Sequence, residues 1–207
     1  MLKRAAFCLL LLIPACVSSK PQVEDVPDEL PVTRWDFRPE SNVWTEATLT
    51  ALEQHGAILP AMVPADYAEW CPEYANQTEE GRAAFWTGLL SALAKHESTW
   101  NPSAVGGGGL WYGLTQIDPR TARAYGCEAT SGEGLKNGAA NLRCAVRIAA
   151  KQVSKRGTIT RGMRDWGPFH SAQKRAEMAA WTRAQPYCSR PAEPERTSPF
   201  AFLTPKT

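Results

Sequence analysis

No stretch of this chain reaches the roughly 18 consecutive apolar residues that a membrane-spanning helix needs, so the sequence predicts a soluble or surface-tethered protein. Charge of one sign is scarce as well. A formal net charge of +2 gives no electrostatic reason to expect a nucleic-acid partner. Histidine occurs only 3 times, and no Cys-x-x-Cys or histidine-rich spacing is present, which argues against a metal site. No internal repeat is found. What the 207 residues do contain is 43% apolar and 9% aromatic side chains with only 21% charged, enough for a core of ordinary size and too little charge for a disordered chain.

The N-terminus carries Lys3-Arg4, an apolar stretch over residues 5–13, then small Ala15 before Cys16. Basic, apolar and small-residue zones in that order are those of a secretory signal. Cys16 behind Ile13-Pro14-Ala15 resembles a bacterial lipoprotein cleavage site, whose cysteine is lipidated. Pro14 departs from the usual residue there, so ordinary cleavage nearby is the alternative. The expected organisation is a signal peptide over 1–15, an extended linker over 16–43, one domain over 44–188 and a loose tail over 189–207. The expected location is periplasmic, tethered to the outer membrane by lipid alone. Removing residues 1–15 takes two basic residues and no acid, which lowers 23 basic residues to 21 against 21 acidic.

Processing also changes the cysteine arithmetic. Cys8 leaves with the signal and Cys16 would carry lipid, so Cys71, Cys127, Cys144 and Cys188 remain. Four cysteines in an exported chain imply two disulfides, and three pairings are open. Cys127–Cys144, closing a short loop, with Cys71–Cys188, joining the ends of the domain, is the favoured one.

Within the domain the patterns are helical. Residues 44–55 carry Leu49 and Leu52 and stop at Gly56, a residue suited to a helix C-terminus. Thr78 with Glu79 and Glu80 opens a second helix that runs through Phe85, Trp86, Leu89 and Leu93 to Glu97. Asp118-Pro119 opens a third, with Asp as N-cap and Pro in the first turn. Leu142, Ala145, Val146, Ala149 and Val153 mark a fourth, and shorter segments follow near 159–163 and 172–183. No alternating strand stands out, so the class is mostly α. Residues 136–188 hold eleven basic and two acidic side chains, a bias that could steer an anionic polymer or simply reflect the solvated faces of amphipathic helices.

Phe85, Leu89, Leu93 and Glu97 recur at steps of four, which puts a glutamate on the apolar face of its own helix. A carboxyl there is desolvated and keeps its proton toward neutrality, the condition for a general acid in glycosidic-bond cleavage. The alternative is that Glu97 turns to solvent or pairs with Lys95 or Arg123.

Glu97-Ser98-Thr99-Trp100-Asn101-Pro102 is followed by Gly113-Leu114-Thr115-Gln116-Ile117. Through these two motifs, and more weakly Asn141-Leu142, the chain resembles the SLT-type lytic transglycosylases of the lysozyme-like superfamily over about residues 70–185. The resemblance implies a lysozyme-like helical domain that cleaves the MurNAc-β-1,4-GlcNAc bond of peptidoglycan glycan strands, working as a monomer without metal or organic cofactor. It implies Glu97 as the catalytic acid, Ser98 as its neighbouring partner, and a groove lined by Gly113, Leu114, Gln116 and Ile117. Trp100, Trp111, Tyr112 and Trp166 lie near the motifs and could offer flat faces to sugar rings. The chain departs from the family at its later Tyr-Asn-Ala-Gly motif, where it has Arg164-Asp165-Trp166-Gly167-Pro168. Without that tyrosine both products stay open: a 1,6-anhydro end, or a reducing end if Asp118 or Asp165 directs water. Asp118 matches the position of an aspartate in goose-type lysozymes, although its place before Pro119 already explains it as a helix cap. A binding module that kept the groove without the chemistry is the third reading.

Overall fold

A computed structural model describes residues 29–189. The signal peptide, Cys16 and most of the expected tail lie outside them. Nine α-helices, one small hairpin and four short 3-10 helices (Tyr74–Asn76, Met163–Asp165, Gly167–His170 and Pro186–Cys188) make up the regular structure of the described part: α1 (Ser41–Glu53), α2 (Ile58–Ala61), α3 (Tyr67–Trp70), α4 (Glu79–Ser98), β1 (Val105–Gly106), β2 (Trp111–Tyr112), α5 (Pro119–Ala124), α6 (Gly132–Leu135), α7 (Gly138–Arg156), α8 (Ile159–Gly162) and α9 (Ala172–Arg183). The class is mostly α, as the periodicity predicts. The hairpin pairs Val105 with Tyr112 and Gly106 with Trp111, too short a pairing to leave an alternating pattern in the sequence.

The central element is α4. Phe85, Trp86, Leu89, Leu90, Ala92, Leu93 and Ala94 are all fully buried, and a helix that is apolar around its circumference belongs in the middle of a fold. Its buried hydroxyls are satisfied within the helix, Thr87 donating to the Ala83 carbonyl and Ser91 to that of Gly88. Helices α1, α2 and α9 pack around it, and α7 packs on α1, α2 and α8. The caps follow the sequence. Thr78 accepts from the Gly81 amide at the start of α4, and Asp118 from the Arg120 amide at the start of α5, with Pro119 next. Asn137 and Ser171 cap α7 and α9 in the same way.

Two expectations about this fold need correction. The chain is not an extended linker up to residue 43. Trp35 is fully buried, donates its indole N–H to Thr45, and meets the Trp44 ring edge-on at 5.8 Å. Helix α1 then begins at Ser41. The acidic, proline-rich composition hid an aromatic anchor, Trp35, whose burial against Trp44 recruits this segment to the domain. Gly56 does not serve as a left-handed helix end. Helix α1 stops at Glu53, and Gly56 is where Val146 of α7 approaches so closely that a Cβ would sit 2.3 Å from its Cγ1.

Two disulfides close the structure. Cys71–Cys188 joins the residue after α3 to the end of the described chain across 117 positions, and Cys127–Cys144 ties the loop after α5 to α7 across 17. The favoured pairing is the one formed, and all four cysteines of the domain are used.

Candidate active site

Glu97 lies in the last turn of α4, below the buried Leu93. Its Oε1 is buried and has no hydrogen-bond partner among the described residues. Neither alternative partner reaches it: Lys95 pairs with Glu177 at 2.8 Å, and Arg123 donates to the Thr130 carbonyl. Burial pushes the carboxyl up from 4.5 to about 7, and the charge of Lys174 on α9 works against that rise. The chain thus holds a carboxylic acid that keeps its proton near neutral pH.

The backbone around Glu97 is strained. Thr99 and Trp100, directly after α4, have φ of 52° and 56°, and Gln116 has φ of 50°. They are the only non-glycine residues with positive φ among the described residues, and such strain concentrates at functional sites. The two motifs are joined by Ser98, whose hydroxyl donates to the Leu114 carbonyl at 2.9 Å and also contacts that of Ala94. Gly113 must be glycine. Its φ is 82°, and a Cβ would lie 2.1 Å from the Leu135 carbonyl oxygen and 2.4 Å from Asn141 Nδ2.

Asn141, on α7, acts as a bracket for the second motif. Its Oδ1 accepts from the Thr115 amide and hydroxyl at 2.9 and 2.7 Å, while Nδ2 donates to the Tyr112 and Leu135 carbonyls. All four hydrogen bonds are made by one fully buried side chain. Trp166 adds a fifth restraint through its indole N–H to the Thr115 carbonyl at 2.9 Å. The turn over residues 113–117 is therefore held from α4, α7 and the 3-10 region near Trp166. Sequence reasoning noted Asn141 only as part of a weak motif. A polar residue on the buried face of α7, beside Leu142, Ala145 and Ala149, was the signal that could have exposed its role.

An open cavity of about 250 Å³ brings together Trp111, Gln116, Ile117, Asp118, Asp165 and Trp166, with Thr121 and Ile148. Gln116 donates to the Gly113 and Ala104 carbonyls, which orients its amide. Trp111 is 47% exposed and is the open aromatic of the group, whereas Trp166 is nearly covered. Glu97 is not part of this lining and connects to it through Ser98 and the 113–117 turn. Leu114 was expected to line the groove and does not. It is fully buried, so its contribution is the carbonyl that Ser98 holds. Tyr112 spends its hydroxyl on the Gly109 carbonyl and packs against Gly132. Trp100 is not among the residues lining this cavity: its N–H donates to the Ser91 carbonyl and its ring meets Phe37 at 4.9 Å. A larger cavity of about 770 Å³ lies along α9 between Trp70, Thr160 and several alanines, and carries no motif residue.

The two candidate second acids differ in how they are engaged. Asp118 caps α5 and is paired with the Arg120 guanidinium at 2.7 Å. The Arg120 hydrogen bonds hold its carboxyl below the usual carboxylate range, which weakens it as a base. Asp165 lines the same cavity and accepts from the Tyr125 hydroxyl at 3.3 Å.

The family model described as the transglycosylase SLT domain matches residues 74–168, which span Glu97, the 113–117 turn, Asn141 and Trp166. Over these residues the chain is similar to a transglycosylase SLT domain. Such a domain implies lytic action on peptidoglycan, and with it an exported, periplasmic or cell-wall location. Among solved structures the chain resembles two glutamate-to-glutamine variants and a wild-type form of Bd0314 DslA. Identity is 24%, TM-scores are 0.69, 0.70 and 0.69, and the match covers 77% of this chain and 98–99% of theirs. That likeness establishes the lysozyme-like fold. Comparison with curated protein sequences gives no match.

Proposed function

We propose that this domain is a lytic transglycosylase that cleaves the MurNAc-β-1,4-GlcNAc bond with Glu97 as its single acid and base, leaving 1,6-anhydroMurNAc ends. The observation that carries the reading is the buried, unpartnered Oε1 of a carboxyl that titrates near 7. Protonated Glu97 donates to the bridging oxygen as the bond breaks, and the resulting carboxylate takes the proton of the MurNAc 6-hydroxyl as that oxygen closes on C1. No water enters this sequence, and one residue serves both steps because it ends as it began. The commitment of Asp118 to Arg120 and the α5 cap supports the water-free route, since it weakens one of the two candidates for activating a hydrolytic water.

Gln116 and Trp111 are the proposed glycan contacts of the cavity, the first through an oriented amide and the second through an open ring face. Ser98, Gly113, Leu114 and Asn141 act behind them by holding the turn. The hydrolytic reading rests on Asp165, which lies on the cavity with Gln116 and stands where the family has its Tyr-Asn-Ala-Gly motif. Export by residues 1–15 and lipidation at Cys16 complete the proposal, placing the domain at the outer membrane beside its glycan substrate.

Mass spectrometry of fragments released from purified sacculi tests the chemistry. Anhydro-ended muropeptides are expected, and purely reducing MurNAc ends would transfer the assignment to hydrolysis through Asp165. Glu97→Gln is expected to lose lytic activity by at least about a thousandfold. Full activity in that variant refutes the role of Glu97, and wild-type protein that binds sacculi without releasing fragments makes the domain a binding module.

A further inference from the structure

The hairpin that carries Trp111 turns through four consecutive glycines, Gly106 to Gly109, which neither motif contains. The turn is closed on itself. The Gly106 carbonyl accepts from the Gly109 and Leu110 amides at 3.0 and 3.1 Å, and the Tyr112 hydroxyl donates to the Gly109 carbonyl at 2.7 Å. Gly107, Gly108 and Gly109 have φ of 56°, 66° and 97°, left-handed backbone that strains any other residue.

The glycines differ in what a side chain there would meet. A Cβ on Gly107 would lie 2.6, 2.8 and 2.9 Å from Cε3, Cζ3 and Cδ2 of Trp111, three successive atoms of its six-membered ring. Three nearly equal distances put Gly107 over the ring face, because an approach in the ring plane would leave the outer two atoms much farther away than the middle one. One face of Trp111 therefore rests on bare backbone, and the opposite face is left for a ligand. A Cβ on Gly106 would lie 2.3 Å from Gln116 Oε1 and 3.7 Å from Trp111 Cε3. Gln116 Nε2 already donates to the Ala104 and Gly113 carbonyls, which uses both of its hydrogens. What this amide has for a ligand is its acceptor, Oε1, and Gly106 keeps that oxygen uncovered. On Gly108 or Gly109 a Cβ would meet nothing within 4 Å.

We propose that Gly106 and Gly107 are positioning residues for glycan binding: they seat the Trp111 ring and Gln116 Oε1 side by side as one preformed sugar subsite. The subsite offers a flat apolar face next to a hydrogen-bond acceptor. It fits a pyranose that lays its C–H face on the indole and donates an adjacent N–H or O–H to Oε1, as an N-acetylated amino sugar does. The inference rests on the reading of Trp111 and Gln116 as glycan contacts and adds what holds them in place.

The test measures binding of uncrosslinked glycan strands to the full chain carrying Glu97→Gln, so that the strands stay intact, and kcat and KM on the same strands with Glu97 present. Gly107→Ala is expected to weaken binding and raise KM by about five- to tenfold, with kcat within about twofold. Gly108→Ala carries the same left-handed strain but meets no side chain, so its Kd and KM should stay within about twofold of the parent. In a Trp111→Ala background Gly107→Ala should cost nothing further, because the ring it displaces is gone. Equal effects of Gly107→Ala and Gly108→Ala overturn the inference. So does an undiminished effect of Gly107→Ala without Trp111, or a loss confined to kcat. If Gly107→Ala does not fold, Gly106→Ala decides: it should weaken binding about fivefold with Gln116 present and not in a Gln116→Ala background, and no such difference overturns the inference. Binding changes as expected, in protein that never cleaves the strands, support the seat and overturn the catalytic reading instead.

Discussion

Removing the Glu97 carboxyl should stabilise the protein, and by an amount that depends on pH. A glutamate that titrates at 4.5 in the unfolded chain and about 7 in the fold binds its proton more tightly when folded. Between those values the folded state holds more protons than the unfolded state, so stability falls as pH rises through the window and levels off above 7. The rise is worth about 3 kcal/mol at about 1.4 kcal/mol per pH unit. Glu97→Gln keeps the shape and removes the titration. Every other ionisable group is common to both proteins and cancels in the difference. Urea unfolding with disulfides intact, at pH 4 and pH 8, should therefore show the variant gaining about 3 kcal/mol on the wild type between the two conditions. The activity of the wild type should fall about tenfold per pH unit above 7, because the acid must be protonated. A difference between the two proteins that is the same at both pH values would refute the desolvated environment and, with it, the physical case for Glu97.

Other expectations follow from the supporting structure. Asn141→Ala should cost about 3 kcal/mol or more in chemical denaturation, since it takes the side-chain partner from the Thr115 amide and hydroxyl and from the Leu135 carbonyl, while the Tyr112 carbonyl keeps the Ile117 amide. It should also abolish lysis in protein that still folds. Loss of Cys71–Cys188, which closes 117 positions, should cost about 5 kcal/mol in the chain-entropy model, against about 3 kcal/mol for Cys127–Cys144 across 17. Thermal unfolding of the two Cys→Ser pairs gives the order. Asp118→Asn keeps the helix cap and should leave lysis within about twofold of wild type; a loss of about a hundredfold or more would mark Asp118 as a base instead.

Much of this protein could be read locally. The Thr78 and Asp118 caps, the unbroken apolar run of α4 and the periodicity of α7 depend on neighbours within a turn or two, and their helices form where the pattern puts them. The step of four from Phe85 to Glu97 identified an acid on an apolar face before any tertiary contact was known. Local reasoning failed where the deciding neighbour lies far along the chain. Trp35 sits in a composition that looks like a tether, yet a hydroxyl and an indole of α1 draw it into the core. Trp100 has the type and position of a sugar-stacking residue, but its N–H belongs to Ser91. Leu114, inside the motif, is core.

The amino-acid order alone set the helical class, the spacing of the two motifs and the count of cysteines available for pairing, because these rest on periodicity, residue chemistry and chain length. It could not say that Glu97 would be left without a partner. That outcome required Lys95 to be taken by Glu177, 82 residues away, and Arg123 by Thr130. Nor could it say that Asn141 would hold the 113–117 turn, or that Gly113 would meet Leu135 too closely for any side chain. Desolvation and close approach are properties of what surrounds a group, and for this acid the surroundings include Lys174 of α9, far along the chain from α4.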